Sequence, residues 1–209
     1  MSAELYLITP VITDAEAFAP QLQRCLAAAP FSAVLIDCRQ ADDKDLARLV
    51  KPLVSLVQGA GAAALIPLPA DLRTVARIAA DGVHCADPAR LGEAVEALKP
   101  KMIVGAGGLK TRHEAMEAGE RDIDYILFGA PRADGSVPDA AMTLDRVQWW
   151  AGIFTLPCVA YAADAAGVGP LVGAGADFVA LGPWLFDAAD AETTVREAHA
   201  LATARGPKK

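Results

Sequence analysis

Cysteine, histidine and aromatic residues are scarce in this sequence, with four Cys, three His and 6% aromatics among 209 residues. Cys25, Cys38, Cys85 and Cys158 lie far apart, with no C-x-x-C pair and no histidine spacing beside them. That argues against a zinc cluster and leaves the reduced thiols of a cytoplasmic protein as the expectation. No four Lys or Arg occur in a row, and 26 acidic against 19 basic residues give a formal charge of −7. Bulk electrostatics therefore exclude nucleic acid and a membrane surface as partners. A small phosphorylated ligand is still admitted, because a few local cations and backbone N–H groups hold a phosphate whatever the net charge. The opening MSAELYLITP reaches Glu4 and Pro10 too early for a signal peptide, and no apolar run approaches the length of a membrane span.

What the sequence does have is apolar material, 54% of its residues, which excludes disorder and suffices for one sizeable core. Short apolar runs alternate with longer Ala-rich, charged stretches, a β/α alternation. Strands are predicted at 5–8, 33–36, 63–66, 82–84, 102–104, 125–128, 158–161 and 178–181. Helix starts are marked by Thr13 with Glu16 and Thr111 with Glu114 as capping boxes, and by Asp87-Pro88 as an N-cap followed by proline. Eight units of about 26 residues are too many strands for the usual doubly wound sheet and predict a single α/β domain, a compact (β/α)8 TIM barrel. No stretch reads as an interdomain linker, so the domain is assigned to 1–205 and a frayed tail to 206–209.

In a barrel, chemistry belongs just after the strands. Those positions hold Thr9 and Pro10; Asp37, Cys38 and Arg39; Pro67, Leu68 and Pro69; and Cys85, Ala86 and Asp87. The last four loops supply Gly105, Gly107, Gly108 and Lys110; Gly129, Arg132, Asp134 and Ser136; Ala162, Ala163 and Asp164; and Gly182, Pro183 and Trp184.

The order of these motifs resembles the thiamine phosphate synthase family with its thiazole tautomerase relatives. The resemblance rests on LYLITP at 5–10, DGVH at 81–84, IVGAG at 103–107, His113-Glu114 with Ala118-Gly119, DYILFGAP at 124–131 and GAGADFVALG at 173–182. It implies a place in thiamine biosynthesis and a transferase that joins a pyrimidine pyrophosphate to a thiazole phosphate. Magnesium would hold the diphosphate, and a phosphate site would lie near the seventh and eighth strands. Tyr6 and the glycine and apolar scaffold match the family, but most of its catalytic positions do not. The family's Gln-Leu-Arg-x-Lys reads Leu35-Ile36-Asp37-Cys38-Arg39, its Asn-Asp pair reads Pro67-Leu68, and its Gln-x-Asp aligns on Asp87-Pro88-Ala89. Gly107 replaces a serine, a segment without lysine from Arg132 to Pro138 replaces Thr-x-Thr-Lys, and Ala162-Ala163 replaces Gly-Gly.

The ligand-binding candidates are therefore Tyr6, Asp37, Arg39, Lys110, Arg132, Gly182 and Trp184, with Asp87 the remaining magnesium candidate. Each has a plainer alternative. Asp87 is the expected helix cap, His84 is either an acid/base or a hydrogen-bonded scaffold residue, and Arg39 and Lys110 either hold phosphate or are solvated. Asp37 would repel a diphosphate unless Arg39 or a metal neutralised it. Trp149, Trp150 and Phe154 form a packing face or a contact with a second copy of the chain. After Pro183, the Trp184 and Leu185 N–H groups either face an anion, or the Trp184 indole folds over the mouth and fills that space. Two functions follow: a synthase-like protein whose synthase activity is weak or absent, or a non-catalytic phosphate-binding or scaffolding relative.

Overall fold

The computed structural model describes residues 2–39, 41, 43–132 and 135–204. Strands β1 (Glu4–Ile8), β2 (Ala33–Leu35), β3 (Ala63–Pro67), β4 (Gly82–Cys85), β5 (Ile103–Ala106), β6 (Tyr125–Phe128), β7 (Cys158–Ala162) and β8 (Phe178–Leu181) alternate with helices. The helices are α1 (Ala15–Ala28), α2 (Asp43–Gly59), α3 (Arg73–Ile78), α4 (Leu91–Leu98), α5 (Arg112–Gly119), α6 (Ala140–Ala151), α7 (Val168–Ala174) and α8 (Ala191–Thr203). Each strand runs parallel to the next and β8 closes on β1, with Tyr6 beside Ala180, so the (β/α)8 barrel is the fold. The proposed tail at 206–209 lies outside the described residues.

Two local expectations are corrected. β5 begins one residue later and runs two residues further than 102–104, because Gly105 and Ala106, too small to read as an apolar run, pair with Tyr125 and Ile126. At α1 the cap is Asp14, whose side chain accepts from the Ala17 N–H; it is one residue closer to the helix than Thr13 and takes the role assigned to the Thr13–Glu16 box. The Thr111–Glu114 capping box is present in full.

An acidic residue just ahead of each of three even-numbered strands braces its odd-numbered neighbour. Asp81 accepts from Ala64 N at 2.7 Å, Asp124 from Val104 N at 2.7 Å, and Asp177 from Cys158 N at 2.8 Å. The three N–H groups belong to fully buried residues at or near the first pairs of their strands, where the ladder alone leaves a donor over. This gives the aspartates of DGVH, DYILFGAP and GAGADFVALG a structural role at the N-terminal rim, opposite the end where chemistry is expected.

Alternation along the strands then sorts side chains into two cores. Leu5, Leu7, Val34, Ile36 and Val83 face outward under the helices, while Tyr6, Ile8, Leu35, Leu65, Tyr125, Leu127, Val159, Tyr161 and Ala180 fill the barrel. Trp150 is fully buried in the outer core, with its indole N–H on the Leu156 carbonyl at 2.8 Å. Asp177→Ala should lower unfolding stability in urea by about 1–3 kcal/mol, since it leaves a buried N–H unpaired. Ligand binding at the opposite end should not change.

Candidate functional site

All three tyrosines of the chain lie inside the barrel, and glycine makes room for two of them. A Cβ at Gly105 would overlap the Tyr125 ring, and one at Gly182 would overlap Tyr161. At Gly107 a Cβ would fall 2.6 Å from His84 Nε2, so glycine leaves space for the imidazole here. The His84 ring stacks on Tyr125, with centroids 5.8 Å apart and planes 14° from parallel. Tyr125 Oη lies 3.0 Å from His84 Nδ1 and 3.0 Å from Tyr6 Oη, a chain that crosses the interior from β1 to β6 to β4.

Above this layer, the loop after β2 carries the charge. Asp37 is 3% exposed, and its carboxylate takes the Arg39 Nε–H on both oxygens, at 2.8 and 2.9 Å, with Nη2 adding a further bond. Thr9 accepts from the Asp37 N–H at 2.9 Å and the Asp37 carbonyl accepts from Ile12 N at 2.7 Å, so the loops after β1 and β2 fix the carboxylate in place. The Asp37 hydrogen bonds raise the Arg39 pKa above its ordinary value, and the Arg39 side chain remains 39% exposed.

The remaining candidates are placed as follows. Lys110 is exposed after β5; its carbonyl is held by Arg146, and its ammonium makes no hydrogen bond or ion pair among the described residues. Arg132 donates to Ser136 Oγ at 3.1 Å within a turn of its own loop, while Asp134 lies outside the described residues. Asp87 caps the short turn Pro88–Arg90 by accepting from Ala89 N at 3.1 Å. Asp164 likewise caps Ala165–Gly167. In the turn Pro183–Asp187 after β8, Leu185 N–H bonds the Gly182 carbonyl at 3.0 Å, so it does not face an anion. The Trp184 indole donates to the Ala162 carbonyl at 2.8 Å and packs on the interior cluster, the arrangement in which it occupies the mouth.

Thus Asp37 with Arg39 and Tyr6 with the interior chain are brought into contact, whereas Lys110 and Arg132 stand on separate loops. Tyr125 and Tyr161 were not singled out from sequence, although their inward parity in β6 and β7 was a signal. Tyr161 Oη has no partner among the described residues.

These positions can now be set beside known proteins. The thiamine monophosphate synthase family matches residues 5–183. The thiamine-phosphate synthase of Rhodospirillum centenum is 37% identical over 185 residues, covering 86% of this chain and 88% of its own. That of Hyphomonas neptunium is 35% identical over 193 residues, covering 86% and 85%. The chain belongs to the thiamine monophosphate synthase family.

This family member is accordingly a thiamine-phosphate-synthase-like protein of thiamine biosynthesis. Among solved structures, thiamine phosphate pyrophosphorylase from Pyrococcus furiosus superposes with a TM-score of 0.74 at 19% identity, covering 95% of each chain. The 3-hexulose-6-phosphate synthase of Salmonella typhimurium reaches 0.73 at 12% identity, covering 95% and 98%, and speaks for the fold alone.

A magnesium ion shared with a diphosphate needs one or two free carboxylates. Here the side chains of Pro67 and Leu68 offer none, and Asp71 farther along that loop is held by Arg73 and Arg77. Asp37 is neutralised by Arg39, and Asp87 is engaged as a cap. No group of three or more His, Cys, Asp or Glu side chains among the described residues is arranged to hold a metal. Among the described residues the donor set does not fit the ion.

Burial, helped by the Arg39 charge and opposed by Asp37, pushes the His84 pKa from 6.5 down to about 4. The unfolded chain therefore binds more protons than the folded one between those values, so stability is full above pH 6.5 and is lost as pH falls toward 4, by about 3 kcal/mol from this group. Denaturant midpoints measured from pH 7 to 4 should fall more steeply for the native protein than for His84→Gln. Burial also raises the Cys38 thiol to about 12 and the Cys25 and Cys158 thiols to about 11. Iodoacetamide at pH 8 should leave the four thiols of the folded protein unmodified and label all four after denaturation, as read by mass spectrometry.

Proposed function

We propose that this family member binds one phosphorylated thiamine precursor, a thiazole phosphate or a pyrimidine phosphate, at the C-terminal mouth of the barrel, in the cytoplasm. In this reading it joins pyrimidine pyrophosphate to thiazole phosphate far more slowly than an ordinary synthase. The observation that carries the proposal is the Asp37–Arg39 pair. The family resemblance puts a cation at each of those two positions, to meet the two charged phosphates of a diphosphate. Here one position is a carboxylate bonded to the other, and the local charge sums to zero.

A leaving diphosphate needs its charge neutralised as its bond breaks, and loss of one such electrostatic contact commonly costs ~10²-fold in rate. Several contacts are altered together here, and the described residues offer no donor set for magnesium. What remains suits a single phosphate: the Arg39 side chain stays partly exposed, and Lys110 and Arg132 follow neighbouring strands on the same end of the barrel. The Trp184 indole favours the second reading, a non-catalytic or scaffolding relative, because it takes volume from the phosphate approach between β7 and β8.

A coupling assay with both precursors and Mg²⁺, run beside thermal shifts with each precursor alone, separates these readings. The expected result is a raised Tm with one precursor and turnover at least ~10²-fold below 1 s⁻¹. Turnover on the order of 1 s⁻¹ would contradict the proposal, and no shift with either precursor would favour the scaffold. Asp37→Asn removes the negative charge beside Arg39 and should tighten thiazole phosphate binding roughly threefold to tenfold in calorimetry.

A further inference from the structure

We infer that the Tyr6–Tyr125 hydroxyl chain holds His84 as the tautomer protonated on Nε2, so that the barrel mouth presents a fixed N–H donor to an acceptor atom of a ligand and not a proton-abstracting base. The inference follows from counting protons and goes beyond the identity of the precursor. Tyr6 and Tyr125 are 1% and 6% exposed, and the contacts of their hydroxyls are Tyr6 to Tyr125 and Tyr125 to His84 Nδ1, each 3.0 Å. Neither residue has a further partner among the described residues.

Two contacts and two phenolic protons leave one arrangement in which both protons are used. Tyr6 donates to Tyr125, and Tyr125 donates to Nδ1. If Nδ1 carried the proton, one phenolic O–H would be buried without an acceptor, which folded proteins rarely tolerate.

Nδ1 is therefore an acceptor. Burial keeps the imidazole neutral at pH 7, with a pKa of about 4, so its single ring proton resides on Nε2. Nε2 is the atom left without a protein partner, and it lies over Gly107, the first residue after β5 at the mouth. An atom that is unpaired yet not sealed from solvent, at the end of a chain whose other members are all satisfied, is placed to meet a ligand. It suits an acceptor such as a ring nitrogen or a carbonyl or phosphoryl oxygen. Tyr125 and Tyr6 act through His84 and are positioning residues.

The test is ¹⁵N NMR of histidine-labelled full-length protein at pH 7, with His113→Gln and His199→Gln assigning the other two histidines. The expected spectrum shows His84 with a pyridine-type Nδ1 and a protonated Nε2. Tyr6→Phe should leave that pattern unchanged, since Tyr125 still donates to Nδ1, whereas Tyr125→Phe should release it into a mixture of tautomers. A protonated Nδ1 or an imidazolium in the native protein would overturn the inference, and so would a Tyr125→Phe spectrum identical to the native one. The native spectrum alone decides the tautomer if Tyr125→Phe fails to fold.

Discussion

A closed barrel of eight strands has an interior that side chains must fill, and in this chain three tyrosines and a histidine take much of that space. Their rings reach across a space that aliphatic residues would occupy in a plainer barrel, and Gly105, Gly182 and Gly107 leave room for Tyr125, Tyr161 and His84. The buried Tyr6 and Tyr125 hydroxyls form one hydrogen-bonded chain with His84. Interior packing and the polarity of the mouth are thus one constraint. The same rings that complete the core decide which atom of His84 faces outward.

The second constraint is electrostatic and lies one layer higher. A buried carboxylate must be compensated, and Asp37 finds its compensation two residues along the chain in Arg39, fixed from below by Thr9. The Arg39 side chain stays partly exposed beside the buried carboxylate. Family membership places the chain in thiamine biosynthesis.

Much of the fold was legible because it rests on short-range signals. Apolar runs with capping residues at Asp87 and Thr111 marked the β/α alternation, and the count of eight units led to closure. Where the reading slipped, the cause was local: β5 ends in Gly105 and Ala106, whose strand character comes from pairing with β6 and not from hydrophobicity. The site was half legible. Asp37 and Arg39 could be located after a strand, and the need for Arg39 or a metal to neutralise the carboxylate was evident, but the bidentate geometry depends on the turn of the loop. The Tyr125–His84 contact joins residues 41 positions apart, so no spacing rule could announce it. The two uses of Trp184 were equally compatible with sequence, and its indole bond to Ala162 is a matter of tertiary geometry.

The central claim is that the mouth has exchanged a metal-assisted diphosphate site for a self-neutralised pair that leaves one cationic edge. Calorimetric titration of the pyrimidine pyrophosphate with and without Mg²⁺ tests this most directly. The account predicts weak binding that Mg²⁺ does not strengthen, and weaker binding than that of a precursor carrying one phosphate. Binding that tightens strongly when Mg²⁺ is added would contradict it, because it would require carboxylates at the mouth that are free to hold the ion.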